Sequence, residues 1–210
     1  MFIENLNKYR LILASRSPRR QELLKELGLK FEVVARNWPE DYPLSLRAEQ
    51  IALYVAAEKA KTFQTEIGDD EIVITADTIV WCNNKVLDKP VDKTDAHKIL
   101  SEISGNTHEV ITGVCLLSSI KQTSFYSSTK VTFEKLSDDE IDYYIDKFMP
   151  YDKAGAYGIQ EWIGIAACSR IEGSYFNVMG LPVQQVYREL QKFITHNPPD
   201  APVRAGLKGA

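Results

Sequence analysis

Cysteine is scarce in this sequence, and both an apolar leader and a long apolar run are missing from it. The three cysteines, Cys82, Cys115 and Cys168, are odd in number, lie far apart, and each occupies an apolar stretch. These features exclude a disulfide framework or a zinc site and indicate reduced core residues of a cytoplasmic protein. Residues 1–10 contain no apolar run that could serve as a signal peptide, and no stretch approaches the ~20 apolar residues of a membrane span. We therefore expect a cytoplasmic location and no membrane partner.

Positive charge is not in excess either. The 25 lysines and arginines are outweighed by 29 aspartates and glutamates, which leaves a formal net charge of −4. A nucleic-acid-binding protein usually shows its basic face in the total, so we expect no nucleic-acid partner. An acidic protein can still bind a small anion where its positive charges are locally concentrated.

The chain also lacks an internal linker, because no stretch rich in proline, glycine and serine divides its 210 residues. This length suffices for one good core, so we expect a single domain over residues 1–195. Residues 196–210 are rich in proline, glycine and alanine, which predicts a flexible tail. Predicted strands and helices alternate irregularly, and this favours an α/β fold with a mixed sheet.

Apolar periodicity and turn residues predict the individual elements. Predicted strands cover 11–14, 31–35, 72–81, 110–117 and 124–133, and predicted helices follow Ser17, Ser45, Ser137 and Pro182 and cover 96–103. Asn83-Asn84 and Glu172-Gly173 predict hairpin turns, and the stretch 151–164 is predicted as a long loop. Ser137 and Glu140 form a capping box, which marks a helix start.

Residues 15–20 have the pattern of an anion-binding loop between a strand and a helix. Ser17 is placed to cap the helix, and Pro18 occupies the first helical position, where it loses no hydrogen bond. The first N–H groups of a helix lack internal partners and carry partial positive charge. Arg19 and Arg20 oppose that dipole in the first turn, and a bound phosphate would remove the conflict. The alternatives are a solvated basic cap or arginines paired with acidic neighbours, and spacing alone leaves all of them open.

Asp77 is unusual because it lies inside the apolar strand 72–80. Aspartate is a poor strand former, and an unpaired buried carboxylate is costly. Asp77 must therefore lie at a strand end, accept hydrogen bonds, or bind a cation. It is a candidate general base or metal ligand, with a structural aspartate satisfied by backbone N–H groups as the alternative.

Two lysines, Lys89 and Lys59, are candidates to lie close to Asp77. Lys89 follows the hairpin, and a two-residue turn places it opposite Thr78, on the other face from Asp77. A three-residue turn would instead bring it diagonal to Asp77. Pro90 cannot donate a ladder bond, so the strand is free to end there. Lys59 lies near the apolar face of its helix, where periodicity favours a lysine that reaches solvent over one that enters a pocket.

These residues belong to an ordered series of motifs. The segment Ala14-Ser15-Arg16-Ser17-Pro18-Arg19-Arg20, followed by Glu22-Leu23-Leu24, resembles the opening signature of the Maf family of nucleotide pyrophosphatases, also named septum-formation inhibitors. Six further matches follow in order over residues 10 to 195: Glu58-Lys59-Ala60, Ala76 to Val80, Lys89-Pro90, Leu100 to Thr107, Asp152 to Gln160, and Gly180-Leu181-Pro182.

The resemblance implies an elongated, twisted mixed sheet flanked by helices, with a central cleft between two lobes. It implies an enzyme that cuts a nucleoside triphosphate into the monophosphate and pyrophosphate, with a divalent metal, Mg²⁺ or Mn²⁺, as cofactor. The segment 152–160 resembles the branch that acts on dTTP and UTP. Glu161-Trp162 departs from the common glycine after Gln160, so a 7-methyl-GTP pyrophosphatase stays an alternative. A non-catalytic nucleotide-binding regulator of cell division is another, and a homodimer is possible.

The resemblance also assigns roles to single residues. Asp77 matches the catalytic base and a metal ligand, and Glu40 falls where the family places an acidic metal or substrate contact. Positions that hold the triphosphate are matched by Ser15, Arg20, Lys59 and Lys89, and positions linked with substrate choice by Arg19, Thr78 and Gln160.

Overall fold

The computed structural model describes residues 2–38 and 41–195, which fold around one mixed sheet. The helices are α1 (Phe2–Leu6), α2 (Pro18–Glu26), α3 (Glu49–Lys61), α4 (Lys93–Ile103), α5 (Asp138–Phe148), α6 (Trp162–Ala166), α7 (Tyr175–Val178) and α8 (Val183–Thr195), with a short 3-10 helix at Ala154–Ala156. The strands are β1 (Arg10–Leu13), β2 (Glu32–Val33), β3 (Glu71–Cys82), β4 (Lys85–Leu87), β5 (Thr107–Leu117), β6 (Gln122–Phe133) and β7 (Cys168–Glu172).

The sheet has the order β2-β1-β3-β5-β6-β7, and β4 also pairs with β3. Strand β1 runs parallel to β2 and β3, whereas the other pairings are antiparallel. Helices pack on both faces of this mixed sheet, so the predicted α/β class is confirmed.

Strand β3 is the central element, and one of its edges is divided. On one side β5 pairs with it continuously from residue 73 to residue 81. On the other side β1 pairs with residues 71–74 and β4 with residues 80–82. Within the described chain, no strand pairs with residues 75–79 on this second side. The two halves of the molecule separate at this gap in the sheet.

Helix α3 packs unusually close to the sheet. Its buried face carries Ala52, Ala56 and Ala60 at spacings of four, and all three are fully buried. A Cβ on Gly113 of β5 would lie 2.3 Å from the carbonyl oxygen of Ala52, so only glycine fits there. The Thr75 hydroxyl donates to the carbonyl oxygen of Ala56 at 2.6 Å, which ties the helix to β3.

The opposite face of the sheet is covered by two separate groups of helices. Near the first half of β3, α2 and α8 bury Leu24 and Leu190 against the strands. Near its second half, α4, α5 and α6 bury Leu100, Tyr144 and Ile163. Each half of the molecule therefore has its own apolar core, and β3 runs through both.

Most predicted elements are confirmed. Asn83 and Asn84 have φ of 49° and 61° and form a two-residue turn that pairs Cys82 with Lys85. The capping box at Ser137 is present, with both reciprocal hydrogen bonds. All three cysteines are free. No helix of the described residues is long and apolar enough to cross a membrane.

The predicted cap at Ser45 is wrong. Helix α3 begins at Glu49, and its cap position is Ala48, which has φ 45°. Residues 43–46 form a separate turn, in which Leu46 N–H donates to the carbonyl of Pro43. The Arg47 N–H, which a capping Ser45 side chain would bind, donates to Gln50 Oε1 at 3.2 Å instead.

Two features of the C-terminal half also differ from the prediction. The strand that ends at Glu172 has no returning partner after Gly173, because Ser174 caps α7 by accepting from Asn177 N–H. The predicted long loop at 151–164 contains the 3-10 helix and the start of α6. The predicted tail at 196–210 lies outside the described residues.

The close approach of α3 makes Gly113 a sensitive position. We expect Gly113→Ala to lower the free energy of unfolding by about 1–3 kcal/mol, since the new methyl group must displace helix backbone. The melting temperature should fall by roughly 4–10 °C, measured by circular dichroism. Gly68→Ala is the matched control, because its Cβ would meet no atom closer than 3.4 Å. Equal melting temperatures for wild type and Gly113→Ala would contradict this packing.

Candidate active site

A cleft of about 800 Å³ opens at the gap beside β3. This volume suits a small-molecule ligand. Its wall includes the loop 14–20, the side of α3, residues 76–80 of β3, residues 88–89, the segment 152–160 and the turn 178–180. The predicted central cleft between two lobes is therefore present, and it forms where the sheet lacks a strand.

The predicted anion loop has the expected local geometry. Ser17 Oγ accepts from Arg20 N–H at 3.5 Å, and Pro18 is the first helical residue. Ser15 is buried, and its Oγ accepts from Ser17 N–H at 3.2 Å. The start of α2 thus faces the cleft with the positive end of its dipole.

Arg20 points inward from this loop. Its guanidinium donates to the carbonyls of Gly180 and Ala76 at 2.8 Å each and to Thr78 Oγ1 at 2.9 Å. The Ala76 carbonyl belongs to the divided edge of β3, so Arg20 occupies part of the place that a neighbouring strand would fill. The side chain joins α2, β3 and the turn before α8.

Asp77 lies in the middle of β3, opposite Gly113, and is buried. Lys59 Nζ of α3 donates to Asp77 Oδ1 at 2.8 Å. The side chains of Lys59 and Asp77 are only 16% and 12% exposed, so the pair is largely removed from water. Periodicity favoured a solvent-reaching Lys59, and this is wrong, because the alanine face of α3 brings the helix close enough for Lys59 to reach the strand.

Thr78 and Lys89 occupy other parts of the cleft wall. Thr78 lies on the opposite face of β3 from Asp77, and it exchanges a hydrogen bond with Thr112 Oγ1 at 3.0 Å. The hairpin turn has two residues, but β4 ends at Leu87, so Lys89 lies beyond the ladder. Lys89 is exposed and lines the cleft.

Gln160 is exposed at the end of the segment 152–160 and also lines the cleft. The same segment contains Tyr157, which is 6% exposed. Its ring packs edge to face on Phe133 and His108, and its hydroxyl contacts His108 Nε2 at 2.7 Å. Tyr157 is therefore a core residue, and it also forms part of the cleft wall.

The family model described as Maf-like protein matches residues 10–193. The chain belongs to the Maf-like family. It is 56% identical over 191 residues to a protein of Phocaeicola vulgatus named dTTP/UTP pyrophosphatase, with 90% of this chain and 99% of the relative covered. A protein of the same name from Parabacteroides distasonis is 50% identical over 192 residues, with 91% and 100% covered.

A solved structure from Mycobacterium abscessus, described as a nucleoside-triphosphatase or dITP/XTP pyrophosphatase, is 13% identical to this Maf-like protein. It matches with a TM-score of 0.42 over 90% of this chain and 98% of that chain.

The structure brings most of the sequence-predicted residues of this Maf-like protein to one cleft. Its lining includes Ser15, Arg19, Arg20, Lys59, Asp77, Thr78, Lys89 and Gln160. Glu40 lies outside the described residues. Thr78 and Arg20 meet each other directly, whereas Gln160 faces the cleft from the far lobe.

The carboxylates of the cleft suit a divalent metal that binds together with a nucleotide. In the part of the chain that the structure describes, no group of three or more histidine, cysteine, aspartate or glutamate residues is placed to hold a metal ion. Asp77 offers one carboxylate to the cleft. Mg²⁺ is typically held by one or two carboxylates together with substrate phosphates, so Asp77 fits a metal that arrives with a nucleotide.

The sequence left open that Arg19 pairs with an acidic residue, but it did not identify the partner, which lies across the cleft. Arg19 Nη1 of the anion loop lies 3.2 Å from Asp152 Oδ2 of the far lobe. Burial opposes the charge of Asp152, but the hydrogen bond from Lys153, the charge of Lys153 and the charge of Arg19 together lower its pKa. Both residues lie in recognised motifs, yet nothing in the sequence indicates that segments 133 residues apart meet.

His108 also escaped the sequence analysis, and its burial has a measurable consequence. Burial lowers the pKa of His108 to about 4, from 6.5. Between these two values the unfolded chain binds a proton that the folded chain excludes, so stability falls as the pH falls. The contribution lost across this window is about 3 kcal/mol.

We expect His108→Gln to remove this part of the acid sensitivity. Urea unfolding of wild type and variant from about pH 7 to about pH 4 measures it, because carboxylates that titrate in the same window contribute equally to both proteins. The free energy of unfolding should fall less steeply for the variant. Parallel pH profiles would show that His108 is not the titrating group.

Proposed function

We propose that this Maf-like protein hydrolyses dTTP and UTP to the nucleoside monophosphate and pyrophosphate. The observation that carries the proposal is the buried Asp77 carboxylate, which lies in the cleft wall with the N-terminus of α2 and with Lys59. The names of the 56% and 50% identical relatives support the choice of substrate. They also favour dTTP and UTP over the alternative 7-methyl-GTP.

The triphosphate has a complementary lining in this cleft. The start of α2, with Ser15, offers N–H and hydroxyl donors, and Lys59 and Lys89 supply positive charge from two other directions. Arg20 keeps its guanidinium on the carbonyls of Ala76 and Gly180 and adds positive charge behind the loop. These residues neutralise the leaving pyrophosphate by position and charge.

Asp77 is proposed as the general base. It accepts a proton from a water whose oxygen attacks the α-phosphorus, and the bond from that phosphorus to the α–β bridging oxygen breaks, so pyrophosphate leaves. Lys59 offsets the carboxylate charge in the free protein. A triphosphate near Lys59 draws the ammonium toward its oxygens, which leaves Asp77 available to the water.

A divalent cation belongs to this proposal as a partner of the nucleotide. Mg²⁺ or Mn²⁺ would be held by Asp77, with Glu40 as a second carboxylate, and would supply positive charge beside the phosphates and make a nearby water more acidic. We place the enzyme in the cytoplasm, a compartment that also suits its three free cysteines.

Substrate choice is assigned to Gln160, Arg19 and Thr78. The Gln160 amide both donates and accepts, which matches the adjacent carbonyl and N–H of uracil or thymine. Thr78 Oγ1 already binds Arg20 and Thr112, so we assign Thr78 an indirect effect through the position of Arg20.

The first test is Asp77→Asn. Asparagine keeps the shape and still accepts from Lys59, but it loses basicity, so pyrophosphate release from dTTP should fall by roughly 10²–10⁴-fold. The thermal melt should stay cooperative. Asp69→Asn, a change in an exposed turn, is the matched control and should keep full activity. Wild-type turnover in Asp77→Asn would remove Asp77 as base.

The second test concerns the base of the nucleotide. Gln160→Ala should lower kcat/KM for dTTP and UTP by about 10-fold and affect ATP and GTP less, since one pairing with the pyrimidine edge is lost. Gln184→Ala on the exposed side of α8 is the control. The readout is pyrophosphate release across a panel that includes 7-methyl-GTP. Fastest cleavage of 7-methyl-GTP by wild type would overturn the dTTP/UTP assignment and leave the pyrophosphatase assignment standing.

A further inference from the structure

A buried polar cluster lies behind Gln160, and the proposed reaction does not use it. We define the Tyr144 cluster as Tyr144, Lys153 and Glu161. The Tyr144 hydroxyl donates to Glu161 Oε2. Lys153 Nζ lies 3.2 Å from Glu161 Oε1 and donates to Asp152 Oδ1 at 2.7 Å.

The cluster is removed from solvent. Tyr144 is fully buried, and the side chains of Lys153 and Glu161 are 10% and 18% exposed. Burial, together with the hydrogen bond to Glu161, raises the pKa of Tyr144, so its hydroxyl stays protonated. Buried polar groups that are fully paired hold their neighbours in a single arrangement.

The cluster is attached to the backbone of the segment that carries Gln160. Tyr144 Oη accepts from Gly158 N–H at 3.0 Å, and Glu161 N–H donates to the Gly158 carbonyl at 3.0 Å. A Cβ on Gly158 would lie 2.8 Å from Glu161 Cδ. On the far side, a Cβ on Gly164 would lie 1.8 Å from the Ile159 carbonyl oxygen. The turn 158–161 is therefore fixed on both sides of Gln160.

We infer that Tyr144 and Glu161 are positioning residues that aim Gln160 at the pyrimidine of the nucleotide. The inference rests on the proposed function, in which Gln160 contacts the base. Gln160 is exposed, so its own contacts do not fix its direction. A hydrogen-bonding side chain must be held close to its productive geometry, and the fixed turn 158–161 provides this.

Lys153 extends the cluster to the other lobe. Its partner Asp152 pairs with Arg19 of the anion loop at 3.2 Å. The segment that aims Gln160 is thus connected to the loop assigned to the phosphates. One continuous group of side chains therefore fixes the positions of the segment assigned to the base and of the loop assigned to the phosphates.

The test is a double-mutant cycle between the Tyr144 cluster and Gln160. Tyr144→Phe and Glu161→Gln remove one hydroxyl or one charge and keep the side-chain shape. Each should raise KM for dTTP by about 10-fold with kcat changed by less than about twofold. In the Gln160→Ala background, the same changes should alter KM by less than about twofold, because the side chain that they position is absent.

Tyr143→Phe is the matched control, since Tyr143 is the neighbouring exposed tyrosine of α5 and its hydroxyl accepts from Lys147. It should leave KM unchanged. A merely structural role would make the effects of Tyr144→Phe and Gln160→Ala additive, or would lower kcat for every nucleotide in step with melting temperature, and either result overturns the inference. If Tyr144→Phe does not fold, Glu161→Gln completes the cycle alone.

The same double-mutant cycle can be measured without turnover. Its readout is then the dissociation constant of α,β-imido-dUTP, a nucleotide that cannot be cut between its α and β phosphates, measured by calorimetry. Failure of the proposed function appears in wild type alone, as no pyrophosphate release from dTTP or UTP. Failure of the inference appears as additive effects on the affinity for α,β-imido-dUTP, whatever the rate of hydrolysis. Coupled effects on that affinity support it.

Discussion

The contact between Lys59 and Asp77 joins the long helix α3 to the central strand, and the cleft is arranged around it. A carboxylate in the middle of a buried strand is stable only with a partner, since an unpaired buried charge is costly. The partner comes from α3, which reaches the strand because its buried face carries Ala52, Ala56 and Ala60 and because Gly113 leaves room for its backbone. Packing, buried charge and the proposed base therefore depend on one another.

The divided edge of β3 provides the space that the pair faces. A sheet with a full neighbour at residues 75–79 would bury the Ala76 carbonyl in a ladder and close the cleft. Here the Arg20 guanidinium binds that carbonyl. An arginine suits the position because its planar fork serves several acceptors at once and keeps its charge when partly buried. The sheet thus keeps its hydrogen bonds and still leaves room for a ligand.

The two lobes are linked by side chains as well as by β3. Arg19 meets Asp152 across the cleft, and Lys153 carries the connection to Glu161 and Tyr144 behind Gln160. Exposed ion pairs contribute little to stability, but a network with buried members restricts geometry. In this Maf-like protein the network holds the segment assigned to the phosphates and the segment assigned to the base at a fixed position relative to each other.

Interactions within a few residues were readable from the sequence. Ser17 before Pro18, the Asn83-Asn84 turn and the capping box at Ser137 each involve groups at most three residues apart, so local chemistry determines them. The order of motifs indicated the family and the residues that meet in the cleft. Ser45 was misassigned because the Arg47 N–H that its side chain would cap donates to Gln50 Oε1 instead.

Tertiary structure alone decided where the long side chains point. Lys59 finds Asp77 18 residues away, Arg20 finds Ala76 56 residues away, and Arg19 finds Asp152 133 residues away. Periodicity shows which face of a helix is apolar, but it does not show how closely that face approaches the sheet. That distance depends on the alanines of α3 and on Gly113 together, and it determines whether a lysine at the rim reaches solvent or a buried carboxylate.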